Sequence, residues 1–264
     1  MRGMTEVRFG FGENWSNYSR SIGEPELHNA IASLRRMLPD EFDPQGKSLI
    51  DIGCGSGLHS VAAARLGFSP IVCTDYDEKS VATTIVSARR FGVEEKLQAL
   101  RDDILDSSID GRFDVVYSWG VLHHTGDMWR AIRAASRLVK PGGCFLIAIY
   151  LKTRFCGPWT AVKRFYCVSP RAIRVGMVYA FHAAKSARQV ASGAFFREYR
   201  TQRGMNRFYD SIDWLGGYPY ESASPAEVEA FLRDEFVLQK SASTTAPIGL
   251  LGSGCAEYTF VRKS

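Results

Sequence analysis

The chain has 264 residues, 45% of them apolar, and a net charge of +5, enough to bury one substantial core with an insertion rather than two independent domains. No apolar run approaches the roughly 20 residues of a bilayer span, and Met1-Arg2-Gly3-Met4 is not expected to open a secretory leader. The six cysteines are scattered without a Cys-x-x-Cys pair, so reduced thiols in a cytoplasmic protein are expected rather than a disulfide framework.

Residues 1–46 read as an N-terminal cap and helix. Phe9 to Ser21 is rich in aromatics and glycine. A helix is expected from about Pro25 to Leu38, with Leu27, Ile31, Leu34 and Leu38 on one face. Residues 47–150 then alternate short apolar strands with helices, which predicts a parallel, doubly wound α/β sheet. The first strand, Leu49-Ile50-Asp51-Ile52, runs directly into Gly53-Cys54-Gly55-Ser56-Gly57 and a helix over Leu58–Leu66. Glycine lets such a loop turn sharply and lets a ligand lie against bare backbone, and the free N–H groups of the helix point back into it.

The glycine spacing discriminates between ligands. A dinucleotide fingerprint needs a third glycine where Leu58 stands, and a P-loop needs a Gly-Lys-Ser/Thr that is absent. Asp51 would repel a pyrophosphate but suits a ligand carrying positive charge, such as S-adenosyl-L-methionine with its sulfonium and ammonium. A second strand, Pro70–Thr74, ends in Asp75, about 20 residues past the loop, where a carboxylate can accept ribose hydroxyls. Asp77 suits the cap of the next helix, leaving Asp75 for the ligand. A third strand, Leu97–Leu100, leads to Asp102-Asp103-Ile104, of which Asp103 is assigned to the adenine amino group and the neighbouring backbone to the ring. The fourth strand, Phe113–Trp119, places Ser118 and Trp119 at its tip, with the Trp119 ring available to an adenine face. Pro141-Gly142-Gly143 reads as a turn before a fifth strand, Cys144–Tyr150.

Residues 49–150 resemble the class I, Rossmann-like S-adenosylmethionine-dependent methyltransferases. The matching motifs are Asp51-Ile52-Gly53-Cys54-Gly55-Ser56-Gly57, Asp75, Asp103, Phe113-Asp114-Val115-Val116, Val121-Leu122-His123-His124 and Leu138-Val139-Lys140-Pro141-Gly142-Gly143. Within that family the chain is most similar to bacterial methylases named after ubiquinone biosynthesis. They share versions of Phe9-Gly10-Phe11-Gly12-Glu13-Asn14-Trp15, Asp75-Tyr76-Asp77, Asp213-Trp214-Leu215-Gly216-Gly217-Tyr218-Pro219-Tyr220-Glu221 and Gly254-Cys255-Ala256-Glu257. The resemblance implies a seven-stranded sheet, completed by strands near Phe236–Leu238 and Tyr258–Val261 within residues 211–264, and a helical lid inserted after the fifth strand. It implies S-adenosylmethionine as cofactor, held by Asp51, Gly53, Cys54, Gly55, Gly57, Asp75, Tyr76, Asp103, Ile104, Ser118 and Trp119. Trp15 and Tyr18 are expected to fold over it, and no metal ligand is assigned.

The insertion, residues 151–210, holds twelve Lys or Arg against only Glu198 and Asp210, a local charge of +10 that leaves the rest of the chain at −5. Apolar stretches such as Val175–Phe181 interrupt the cations, the pattern of amphipathic helices. Three readings stand: a solvated face, a site for an anionic or lipid-linked small-molecule acceptor, or peripheral docking on the inner face of an anionic membrane. The aromatics are not interleaved as a stacking platform, so nucleic acid is not expected.

The expected activity is methyl transfer to a small-molecule or lipid-linked acceptor, an acceptor hydroxyl before an amine, thiol or carboxylate. A non-catalytic protein that merely binds the donor is the alternative. His123 and His124, just past the fourth strand, are the candidates for a general base, His124 ahead of His123. His59 reads as structural. Tyr150, Arg203, Asp213, Trp214, Tyr218 and Glu221 are the family-guided candidates for the acceptor pocket.

Overall fold

The computed structural model describes residues 10–191, 207–243 and 250–264. Arg203, Phe195 and Phe196 lie outside the described residues. In chain order the elements are α1 (Phe11–Ser19), α2 (Glu24–Met37), β1 (Leu49–Ile52), α3 (Leu58–Leu66), β2 (Ile71–Asp75), α4 (Glu78–Arg90), β3 (Leu97–Arg101), β4 (Phe113–Trp119), α5 (Met128–Arg137), β5 (Val139–Tyr150), α6 (Cys156–Val168), α7 (Arg171–Ala191), α8 (Arg207–Gly216), α9 (Pro225–Leu232), β6 (Phe236–Ser243) and β7 (Cys255–Arg262). The expected boundary at residue 210 falls inside α8.

The seven strands form one sheet in the order β3-β2-β1-β4-β5-β7-β6. β1 to β5 are mutually parallel, while β7 runs antiparallel to both β5 and β6. The strand order reverses between β1 and β4, and at such a switch point a crevice opens at the carboxyl ends of the strands. The loops after β1, β2, β3 and β4 all converge there.

Both faces of the sheet are covered. On one, α2 and α3 pack their buried Leu27, Leu34, Val61, Ala62, Ala63 and Ala64 over β1 and β2. The run of alanines in α3 brings that helix close to the sheet because no long side chain intervenes. On the other face, α5 and α9 contribute Ala131, Ile132, Val228 and Leu232 against Phe145, Ile147, Tyr258 and Phe260. A third, smaller core joins α6, α7 and α8 through Tyr166, Val178, Phe181, Trp214 and Leu215 to Tyr150 and Tyr220.

Caps set the helix starts. Asp77 accepts from the Lys79 backbone N–H at 2.9 Å, and its other oxygen takes the Gly12 N–H at 2.9 Å, so one side chain starts α4 and pins α1 upon it. Ser224 and Glu227 form a reciprocal capping box around Pro225 at the start of α9. The expected turn at Pro141-Gly142-Gly143 is instead a bulge within a single twelve-residue strand. The β4–β5 register jumps from Phe113↔Val139 to Val115↔Cys144. Gly142 takes a positive φ of 72° there, which lets the backbone rejoin the ladder without a break.

Gly57 also departs from expectation. It does not line the cavity described below; it is the left-handed N-cap of α3 at φ 75°. A Cβ on it would lie 2.9 Å from the Thr84 Cα of α4, so its small size serves the α3–α4 contact rather than a ligand. Gly57→Ala is expected to destabilise the fold by about 1–3 kcal/mol, read as a lowered thermal midpoint, while ligand affinity measured below that midpoint stays within a fewfold of wild type.

Candidate functional site

The crevice at the switch point holds a cavity of about 470 Å³, lined by the loops after β1, β2, β3 and β4, by α1, and by Asp213 and Tyr218 of the α8 end. Its floor is the glycine loop. Gly53 and Cys54 donate their N–H groups to the Thr74 carbonyl at 2.7 and 2.9 Å, hooking the loop onto β2. Gly53 has φ 80° and Gly55 φ 55°, the left-handed region that favours glycine. A Cβ on Gly53 would meet the Val121 side chain at 2.3 Å, and one on Gly55 would meet the Trp15 indole at 3.1 Å. The loop is therefore packed from above by α1 and from the side by the turn after β4.

Two carboxylates stand beneath this floor. Asp51 is buried and accepts from Ser60 Oγ at 2.5 Å. Burial pushes its pKa up to about 7; the Ser60 bond opposes the rise and the neighbouring Asp75 adds to it. Asp75 accepts the Gly55 N–H at 3.0 Å and the Asp77 N–H at 2.9 Å. Burial raises it to about 6, against those two bonds. Among the described residues neither carboxylate forms an ion pair. Both line the cavity, so a cation entering it would meet unneutralised acid.

At the far side, Asp102, Asp103 and Ile104 line the cavity with Arg101. Asp103 starts a short 3-10 turn by accepting from Leu105 N–H at 3.0 Å, whereas Asp102 ties down the loop at Ser108 N–H at 3.1 Å. Tyr76 also lines the cavity and is half exposed, its carbonyl accepting from Arg101 Nε at 3.3 Å. Trp119 lies in the wall, its Nε1 donating to Glu257 at 2.9 Å, which sets the ring orientation. Trp15 and Tyr18 close the cavity as expected.

Several expected contacts are corrected by the geometry. Ser118 is fully buried and donates to the Ile52 carbonyl at 3.0 Å; alternation along β4 turns it away from the cavity that Trp119 and Tyr117 face. His123 is fully buried outside the lining, packed against His124 and Tyr150 with ring centroids 4.4 and 4.0 Å away. Tyr150 and Trp214 belong to the α6–α8 core. Glu221 accepts from the Met128 N–H at 2.9 Å, capping α5. His59, read as structural, does line the cavity, stacked on Tyr117 at 5.4 Å. Phe11, Tyr117, Val121 and Thr125 line it too and were not singled out. Phe11 sits inside the N-terminal aromatic motif, which was the available signal.

Of the candidates for general base and acceptor pocket, His124, Asp213 and Tyr218 line the cavity. His124 Nδ1 lies 2.7 Å from the Pro219 carbonyl. A carbonyl only accepts, so Nδ1 carries the proton and Nε2 keeps its lone pair when the ring is neutral. Burial, reinforced by the nearby Lys163, lowers the ring to about 3, so it stays neutral across the physiological range.

Comparison with known proteins places these features in a family context. Residues 50–145 match the family described as "Methyltransferase domain". A similar relative is the ubiquinone biosynthesis O-methyltransferase of Caulobacter vibrioides, 35% identical over 109 residues, which cover 41% of this chain and 43% of the relative. The ribosomal protein L11 methyltransferase of Actinobacillus succinogenes is 31% identical over 135 residues, covering 51% and 44%. The chain thus spans less than half the length of these curated relatives. Among solved structures, magnesium protoporphyrin IX methyltransferase from Synechocystis PCC 6803 superposes with a TM-score of 0.55 at 16% identity, covering 90% of this chain and 84% of that one. An S-adenosylmethionine-dependent methyltransferase from Mesorhizobium loti gives 0.53 at 18%, covering 88% and 96%. At such identities the likeness shows the fold.

The buried Asp51 sets a pH signature. Asp51 has its folded pKa above the unfolded value, so its contribution to stability is complete below about pH 4 and lost as pH rises through about 7. The thermal midpoint of the ligand-free protein relative to Asp51→Asn is therefore expected to fall by a few degrees between pH 5 and pH 8, and carboxyl NMR should place a titration near pH 7 that the variant lacks. A parallel course of the two midpoints would show that Asp51 ionises as an ordinary carboxylate.

Proposed function

We propose that this chain, whose residues 50–145 match the methyltransferase domain family and whose fold is that of solved methyltransferases, is a class I, Rossmann-like S-adenosylmethionine-dependent methyltransferase that methylates a hydroxyl of a small-molecule acceptor. The observation that carries the reading is the pair of carboxylates, Asp51 buried and Asp75 half-buried, neither in an ion pair among the described residues, under a glycine loop that opens on the cavity. That donor set fits a cationic nucleoside: the glycine backbone admits close approach, Asp75 presents acceptors for ribose hydroxyls, and Asp103 with Ile104 frames the far end where a base would lie. When bound, S-adenosylmethionine supplies an electrophilic methyl group on a sulfonium.

The residues of the chain then have three tasks. Asp51 and Asp75 balance positive charge in a site from which α1 excludes water through Phe11, Trp15 and Tyr18. Asp213 and Tyr218 orient the acceptor at the His124 end. His124, neutral and with Nε2 as its lone-pair nitrogen, accepts the hydrogen bond of the acceptor hydroxyl and aligns its oxygen for in-line attack. An imidazole held this far below its usual pKa is a weak base, so we assign His124 to orienting the hydroxyl and receiving its proton late, as charge develops.

A second element of the proposal concerns how the acceptor arrives. Val162, Phe165, Val168, Ile173, Val175 and Tyr179, all on α6 and α7, are exposed. Residues 152–191 contain eight Lys or Arg and no Asp or Glu. An apolar helical face rimmed by cations suits the interface of an anionic membrane on its inner side, which would deliver a lipid-linked or anionic acceptor. Lys185 is not one of the docking cations, since it pairs with Asp210 at 2.6 Å. No helix among the described residues is long and apolar enough to cross a membrane.

Asp75→Ala is expected to weaken S-adenosylmethionine binding between about tenfold and a hundredfold by calorimetry, whereas His124→Ala keeps that affinity and loses turnover. Unchanged affinity in the first variant would remove Asp75 from the site. Replacing Arg164, Arg171 and Arg188 by Gln should reduce binding to phosphatidylglycerol vesicles on the order of a hundredfold, at about 1 kcal/mol per charge, without touching donor affinity. Wild-type protein that ignores such vesicles would end the membrane reading.

A further inference from the structure

We propose that Lys163 of α6 is a positioning residue for the acceptor end of the cavity: a buried ammonium that clamps the end of α8 and, meeting His124 at the space that Gly217 leaves open, adds to burial in holding the imidazole in its neutral form. The inference rests on the methyl-transfer reading for its purpose, though its geometry stands apart from it.

Lys163 is fully buried although the residues flanking it, Val162, Arg164 and Phe165, are exposed. With Tyr166 it forms the inward face of α6. A buried ammonium is costly unless it is compensated, yet among the described residues no carboxylate forms an ion pair with Lys163. Its compensation is of two other kinds. Nζ donates to the carbonyl of Trp214, in the last turn of α8, where a helix leaves carbonyls without backbone partners. Three ring faces surround it, Trp214 at 3.9 Å, Tyr220 at 4.8 Å and Tyr150 at 5.6 Å, and each attracts a cation through its quadrupole. Lys163 thereby ties α6 to the last turn of α8, one residue from the cavity-lining Asp213 and four from Tyr218.

The second link runs through Gly217. A Cβ built there would lie 2.6 Å from His124 Cε1 and 3.2 Å from Lys163 Nζ. The two groups therefore converge on the space that a Gly217 side chain would fill, His124 Nε2 lying 3.1 Å from that point. A second proton on His124 would place two cations around it. The other titratable groups around the pair are Asp213 on α8, Cys167 on α6, Cys255 on β7, Tyr150 on β5, and Tyr220 and His123 in the adjoining loops. Of these only Asp213 opposes the effect as a full negative charge, and it stabilises the charged lysine. Burial brings Lys163 down to about 7, so the clamp itself titrates near neutrality.

The test uses the full ligand-free chain, with histidine Cε1 and lysine Nζ followed by NMR across pH, and separate calorimetry with S-adenosylmethionine. In wild type, His124 resonances should show an inflection near pH 7 that coincides with the Lys163 titration. In Lys163→Met that inflection should vanish and the His124 midpoint should rise by about one pH unit or more, while donor affinity stays within about twofold. Lys163→Arg, which keeps the charge, should hold the His124 midpoint low. An absent inflection in wild type overturns the proposal, even where Lys163→Met fails to fold. So does a His124 midpoint that Lys163→Met leaves in place. Failure of the wild-type chain to bind S-adenosylmethionine would overturn the methyl-transfer reading instead, and would leave the coupling of the two side chains standing.

Discussion

Two carboxylates at the carboxyl ends of β1 and β2, Asp51 buried and Asp75 half-buried, neither with a counter-charge among the described residues, are the constraint around which this molecule is arranged. Asp75 uses both oxygens on backbone, holding Gly55 and Asp77, so the same group that faces the cavity also joins the glycine loop to the start of α4. Asp77 repeats the device one step outward, capping α4 and binding the Gly12 N–H of α1. A chain of short charge-assisted bonds thus runs from the sheet to the helix that closes the cavity. Loss of one member would slacken the floor and the roof together.

The opposite end of the cavity is built on different physics. There the sheet gives way to an aromatic cluster of Tyr150, Trp159, Trp214 and Tyr220, at centroid distances of 5.1 to 5.9 Å, its pairs edge to face except for the tilted Tyr150–Tyr220. Within it sits the Lys163 ammonium, bonded to a helix-terminal carbonyl. Acid thus stands under the glycine loop, and a caged cation stands behind His124, whose Nδ1 is tied to the Pro219 carbonyl.

Much of the fold was legible because local patterns and tertiary contacts agree. Leu58–Leu66 and Phe113–Trp119 match the observed α3 and β4, since one is a run of small apolar helix formers and the other an unbroken β-prone stretch. Asp77 was readable as a cap from its place before Glu78. The site was less legible where a residue's role depends on which side of an element turns inward. Ser118 and Trp119 are adjacent in β4 yet face opposite ways, and Glu221 caps a helix ninety-three residues away in the chain. Lys163 could be read only as one of twelve cations on a solvated, acceptor-binding or membrane-facing helix, because Ala161-Val162-Lys163-Arg164 does not reveal that Lys163 turns inward while Val162 and Phe165 face outward.

By itself, then, the sequence determined the alternation of strands and helices, the glycine turn after β1 and the acidic tips of β1, β2 and β3, because each is written in contiguous residues whose backbone preferences and spacing are local. Only the tertiary structure decided which histidine meets the cavity, which of the cavity's acids lack an ion pair among the described residues, and which lysine is buried. Those outcomes turn on distances between segments far apart in the chain, such as β4 and the loop after α8, and on the water that their packing removes.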